Sequence, residues 1–287
     1  MPELPEVTVI VNSLNEKIKG LIFKSIEYDW PKKFEWGEFS IKDLKGAKAS
    51  QVRRWGKVII IELGSKIAIV LHLKLTGQLI YQDKKTRIAG GHPIPPLNLP
   101  APNKTTRATF EFTNGSYLYF NDLRKFGWVK IVKKDEEEIR KAVGNDLGPD
   151  PLLMSLDEFK ERLKKHDSQR IKKLLMDQTF VSGIGNIYSD EALWRAKIHP
   201  KRRAGSLSSQ ETRAIFKGIL ESLKLAIEKG GSSSQAYVDS GGEKGLYLSY
   251  SKAYHMTGRP CERCKTPIVR EKIDGRSAHF CPHCQKL

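Results

Sequence analysis

The chain begins MPELPEV. Loss of Met1 would leave Pro2 as a terminal secondary amine. An unperturbed α-amino group titrates near roughly 7.7–8.0, so a useful fraction is neutral, and therefore nucleophilic, at physiological pH. The same residues also suit a helix start, where proline and glutamate are both tolerated. A second group of reactive side chains closes the sequence. Cys261-Glu-Arg-Cys264 and Cys281-Pro-His-Cys284 are two CxxC knuckles separated by 16 residues. At this spacing four thiolates can enclose one tetrahedral zinc, and a site with every position filled is structural. Two redox CxxC motifs are the alternative, disfavoured by their pairing at this spacing in a short basic tail.

Asp274-Gly275 between the knuckles signals a two-residue hairpin turn, which would carry Arg276 at the tip of a zinc-pinned hairpin. A guanidinium held there suits contact with a phosphate or a base, or is simply a solvated turn arginine. Val181-Ser-Gly-Ile-Gly-Asn186 leads into a helix at Ile187. Its glycines let backbone approach a ligand, Asn186 is a natural N-cap, and a helix N-terminus accepts phosphate. It is not a P-loop, since no Gly-Lys-Ser/Thr follows. Lys172 and Lys173 lie on the preceding helix.

The elements around these residues are readable from periodicity. Val7, Ile10, Val11, Leu14 and Ile18 recur at helical spacing, with Gly20 after them. From about 21 to 132 the pattern becomes that of strands, including VIIIEL, KIAIVLHL, RATFEFTN, YLYFND and GWVKIV, which predicts a β-sandwich with one leading helix. The Pro- and Gly-rich residues 82–104 read as a surface loop. A domain boundary is expected near 145–152, with helices after it. Capping boxes at Ser155-x-x-Glu158 and Ser208-x-x-Glu211 open two of these helices. Residues 230–245 read as a flexible Gly/Ser stretch, and the cysteine module follows. The expected fold is multidomain α+β.

The 287 residues carry 50 Lys plus Arg against 33 Asp plus Glu, a net charge of +17. Such an excess points to a polyanionic partner, nucleic acid before membrane surface. No apolar run approaches the roughly 20 residues that span a bilayer. The first residues have no secretory h-region, and no cysteine outside the last 27 residues is present to form a disulfide framework, so a reducing cytoplasm is expected.

PELPEV, Lys57 before a strand, GIGNIYSDE and the four-cysteine finger, in this order, resemble the formamidopyrimidine-DNA glycosylases. The likeness runs nearly end to end, and PELPE favours the oxidised-purine branch. The resemblance implies a catalytic β-sandwich at 1–133, a helix–two-turns–helix domain with a base-covering loop at 150–245, and a zinc finger at 246–287 holding one Zn2+. It implies a monomeric, nucleoid-associated enzyme of base excision repair acting on double-stranded DNA with oxidised bases or abasic sites. It assigns Pro2 as the nucleophile at C1′ of a flipped nucleotide, Glu3 as proton donor for sugar-ring opening, Lys57 to β-elimination and Arg276 to δ-elimination. Leu75, Arg124 and Phe126 match residues that enter the duplex, and Lys172 and Asn186 match phosphate contacts. Leu75 stands where methionine is frequent, and Thr105 where a DNA-contacting histidine is common. A preference for oxidised pyrimidines and a non-catalytic damaged-DNA-binding zinc protein are the remaining alternatives. His72, in an apolar strand, reads as a hydrogen-bonded core histidine.

Overall fold

A computed structural model describes residues 1–64, 66–92, 99–232 and 245–287. Most of the base-covering stretch proposed at 230–245, and the centre of the 82–104 segment, lie outside the described residues. The chain divides into two compact units, one formed by 1–145 with 230–245, the other by 146–229 with 246–287.

The first unit opens with α1 (Leu4–Ile18), whose apolar stripe is buried as its periodicity predicts. The strands β1 (Phe23–Tyr28), β2 (Phe34–Glu35), β3 (Ala49–Trp55), β4 (Val58–Leu63), β5 (Ile67–His72), β6 (Gly77–Gln82), β7 (Arg87–Gly91), β8 (Thr106–Phe112), β9 (Tyr117–Asp122) and β10 (Trp128–Lys133) follow, with the one-turn helix α2 (Ile41–Leu44) after β2. Among the described residues they form two five-stranded sheets, ordered β1-β8-β9-β6-β7 and β2-β10-β5-β4-β3. Inward residues of both sheets, such as Phe110, Phe120, Ile59 and Ile69, share one core with the α1 stripe. β4 and β5 are apolar on both faces because α3 (Glu136–Val143) covers the second face, packing Ile139 and Ala142 on Val58, Ile60 and Val70. The charged run before residue 145 is thus partly helix, nucleated by Asp135, whose carboxylate accepts from the Glu138 N–H. The segment read as a loop contains β7, paired antiparallel with β6. Its two glycines masked the strand signal.

The second unit contains α4 (Leu156–Lys164), α5 (Ile171–Met176), α6 (Asn186–Ala196), α7 (Ser209–Glu228) and α8 (Tyr247–Tyr250), then the hairpin β11 (Val269–Ile273) and β12 (Arg276–Phe280). The Ser208/Glu211 capping box forms as expected. Phe159 on α4 packs its ring 5.4 Å from Phe216 on α7 and 5.6 Å from Phe180 in the α5–α6 connection. α6 and α7 cross closely at Gly218, where a Cβ would lie 2.6 Å from the Ala192 carbonyl oxygen. No helix among the described residues is long and apolar enough to cross a membrane.

Candidate active site and nucleic-acid interface

The start of α1 is an acidic pocket for the chain terminus. Glu3 and Glu6 are both buried and close a capping box, in which the Glu3 N–H donates to Glu6 Oε2 at 2.8 Å. The other Glu6 oxygen accepts from the Ser232 N–H at 2.8 Å. Glu6, given only a secondary place by sequence, therefore joins the N-terminus to the edge of the 233–244 segment. Pro2 is half-buried beside them. Lys57 is 6% exposed and follows Gly56, whose φ of +55° turns β3 into β4. This hairpin is tied to α1: Arg54 Nε donates to Thr8 Oγ1 at 2.6 Å, and the Val52 N–H donates to Asn15 Oδ1 at 2.8 Å. Burial holds the Met1 ammonium below its ordinary pKa, the Glu3 and Glu6 carboxylates pull it upward, and Lys57 pushes it down. Pro2, Glu3 and Lys57 thus gather at the chain terminus, where burial favours the neutral form of the Met1 amine.

Two turns of the same unit present the expected duplex-entering residues. Leu75 is 40% and Phe126 46% exposed. Isolated exposed apolar side chains are ordinary, but here the Arg124 guanidinium also lies 4.7 Å over the Phe126 ring, leaving a flat cationic–aromatic face. Asp122 builds this arrangement. Its carboxylate accepts from Thr76 Oγ1, from the Arg124 N–H at 3.2 Å and from the Gly127 N–H at 2.7 Å. Thr76 Oγ1 in turn accepts from the Arg124 N–H at 3.0 Å, so the two turns are clasped together. Gly77 is required there, because a Cβ would lie 2.3 Å from the Leu73 carbonyl oxygen. Sequence reasoning missed Thr76 and Asp122; the available signal was a polar pair at facing strand ends. His72 accepts from the Lys74 N–H at 2.8 Å and is held near pKa 3 by burial, with Lys74 and Lys57 adding to the depression. Thr105 is buried and bonded to Asn103, with its side chain donating at 2.7 Å.

In the second unit the α5–α6 turn is filled by Gln178. Its amide donates to the Met176 and Ile184 carbonyls at 2.8 Å, and its oxygen accepts from the Gly183 N–H at 3.0 Å. The helix starts one residue earlier than expected, with Gly185 as N-cap and Asn186 as its first residue. Lys172 departs from the expected phosphate contact. It is 1% exposed, and its ammonium donates to Asn186 Oδ1 at 2.9 Å and pairs with the buried Asp190 carboxylate. A lysine so enclosed reaches no phosphate directly. Leucines at 174 and 175 drive α5 inward and carry Lys172 with it.

Arg276 is exposed at the start of β12, opposite Ile273 across the Asp274-Gly275 turn, as the turn signal predicts. The sulfurs of Cys261, Cys264, Cys281 and Cys284 all lie within 4.8 Å of one another. Zn–S bonds of about 2.3 Å in a tetrahedron require sulfurs roughly 3.8 Å apart. The cluster therefore fits one structural zinc with no open position for substrate.

Comparison with known proteins agrees along the whole chain. The profile of the formamidopyrimidine-DNA glycosylase N-terminal domain matches residues 1–129, that of the same family's H2TH domain matches 147–238, and a zinc finger found in FPG and IleRS matches 258–287. The formamidopyrimidine-DNA glycosylase of Pelotomaculum thermopropionicum is 36% identical, with 100% of both chains covered. That of Enterococcus faecalis is 36% identical over 100% of this chain and 98% of its own. A Lactococcus lactis FPG mutant bound to Fapy-dG DNA superposes with a TM-score of 0.86 at 32% identity, covering 100% of both chains. MutM bound to carbocyclic 8-oxo-G DNA superposes at 0.84 with 33% identity and the same coverage. With its sandwich, its helix–two-turns–helix unit and its four-cysteine finger all matched in order, this chain belongs to the formamidopyrimidine-DNA glycosylase family.

Proposed function

We propose that the protein is a bifunctional DNA glycosylase and AP lyase of base excision repair that removes oxidised purines, 8-oxoguanine and formamidopyrimidines, from double-stranded DNA. The observation that carries this reading is the burial of Glu3, Glu6 and Lys57 about the chain terminus. Removal of Met1 frees the Pro2 nitrogen as a terminal secondary amine; with Met1 retained it is an amide and inert. The Pro2 lone pair attacks C1′, the glycosidic bond breaks, and the base departs with its electron pair and takes up a proton as the Pro2 nitrogen gives up its N–H proton. Glu3 delivers a proton to the ring oxygen as the sugar opens. The product is a tertiary iminium with no N–H to lose, so its positive charge persists and acidifies the C2′ hydrogens. Loss of a C2′ proton then expels the 3′ phosphate, with Lys57 serving this β-elimination and Arg276 the following δ-elimination.

Leu75, Arg124 and Phe126 occupy the gap left by the flipped nucleotide, lowering an unstacking cost of a few kcal/mol. Asn186 contacts phosphate, and the net charge of +17 keeps the enzyme on the nucleoid. We assign catalysis to 1–133, DNA binding to 150–245 and the zinc finger to 246–287. The zinc holds the finger closed and takes no part in bond breaking. Defined lesion duplexes test the assignment. An 8-oxoguanine:cytosine duplex should yield β,δ-elimination ends far faster than one carrying thymine glycol; the reverse order, or no cleavage of either, would overturn it.

A further inference from the structure

The buried side chain of Lys172 has no place in the chemistry above, yet its surroundings are specific. Its ammonium donates to Asn186 Oδ1 at 2.9 Å and to Ser189 Oγ at 3.4 Å, and it pairs with Asp190 Oδ1. The other oxygen of Asp190 is 2.9 Å from His279 Nδ1 and accepts the His279 N–H at 3.0 Å. Side chains of Lys172, Asp190 and His279 are 2%, 1% and 6% exposed. His279 lies on β12, three residues beyond Arg276, and the hairpin tip is held again by Arg170 Nη1 on Asp274 Oδ1 at 2.9 Å.

Two consequences follow from donor and acceptor chemistry. An ammonium has donors only, so it can face Asn186 through the amide oxygen alone. This fixes the orientation of the amide and leaves its NH2 as the end available to a phosphate oxygen. The shared carboxylate also links α6 to β12 through two bonds, one of them to backbone, so the strand cannot shift along the helix without breaking both. A buried charge pair contributes little net stability compared with apolar residues of the same volume, whereas a role in fixing geometry can retain it.

We propose that Lys172, Asp190 and His279 are positioning residues that hold the Asn186 amide and the Arg276 guanidinium in one preset relation for phosphate. This rests on the reading above, in which both groups contact DNA phosphate. The decisive variant is the double substitution Lys172→Met with Asp190→Leu, which removes both charges and orphans neither. Zinc content and thermal melting should show it folded. Its affinity for an abasic-analogue duplex should fall on the order of tenfold, as for other residues that orient a ligand-contacting group, and its ratio of δ- to β-elimination product should drop. In an Asn186→Ala background the same pair of substitutions should cost much less affinity, because the effect acts through that amide. His279→Asn, which keeps a donor toward Asp190, should restore the product ratio that His279→Leu loses, and this comparison carries the test if the double variant does not fold. Wild-type affinity and product ratio in a folded double variant, while Asn186→Ala and Arg276→Ala are impaired, would overturn this inference alone. If Asn186→Ala and Arg276→Ala are themselves silent, the phosphate-contact reading fails and the inference with it.

Discussion

Thr76 offers a sharp test of how the duplex-entering residues are held. Its hydroxyl donates to Asp122 and accepts from the Arg124 N–H at 3.0 Å, joining the turn that carries Leu75 to the one that carries Arg124 and Phe126. Thr76→Val keeps the shape and removes the hydroxyl. The Arg124 N–H retains a 3.2 Å bond to Asp122, so the main loss is one buried hydrogen bond to a carboxylate. Such a bond contributes about 1.5–3 kcal/mol. For a unit of this size that lowers the melting temperature by roughly 3–12 °C. If the whole of it is used to hold the turns ready for insertion, excision of 8-oxoguanine from a duplex slows by roughly 10- to 150-fold. Cleavage of a single-stranded abasic oligonucleotide needs no insertion and should stay near the wild-type rate. Single-turnover assays on the two substrates separate these outcomes. Equal slowing on both, or an unchanged duplex rate in a variant for which Phe126→Ala is slow, would refute the clasp.

Cys264→Ser removes one of four thiolates, so the zinc-to-protein ratio by atomic absorption should fall well below one after dialysis against a chelator. Phe110 is fully buried between the sheets, and Phe110→Ala should cost about 3–5 kcal/mol, read as a lower urea midpoint for the first unit. His72 is held neutral, with its pKa lowered to about 3 by burial. Between that value and 6.5 the unfolded chain binds the extra proton, so stability is intact above pH 6.5 and declines as pH falls, by at most about 1.4 kcal/mol per pH unit. His72→Asn, whose side-chain oxygen can still accept from Lys74, should flatten the dependence of melting temperature on pH between 4.5 and 6.5.

Patterns set by repetition along the chain were readable without coordinates. The α1 stripe, the double-faced runs of β4 and β5, the Ser208 cap and the cysteine spacing each follow from a rule acting within one element. What escaped was set by contacts between distant residues. β7 was hidden by Gly90 and Gly91, whose ladder partners lie on β6. Lys172 looked like a surface cation until Asn186, Ser189 and Asp190 were seen to enclose it. Thr76 and Asp122 are 46 residues apart, and Glu6 meets Ser232 across 226. Glu191 accepts the backbone N–H groups of Lys252, Ala253 and Tyr254 from a position 61–63 residues earlier. The candidates Pro2, Glu3 and Lys57 could be named from the sequence; the bonds around them, Arg54 to Thr8 and Ser232 to Glu6, could not.

The terminal amine is the part of the account on which the rest depends. Protein verified to lack Met1, incubated with an 8-oxoguanine duplex and borohydride, should form a covalent adduct by reduction of the iminium. Peptide mapping should place the linked deoxyribose on the nitrogen of Pro2. An adduct carried by Lys57 or another lysine in active protein, or full excision by protein that retains Met1, would contradict the mechanism.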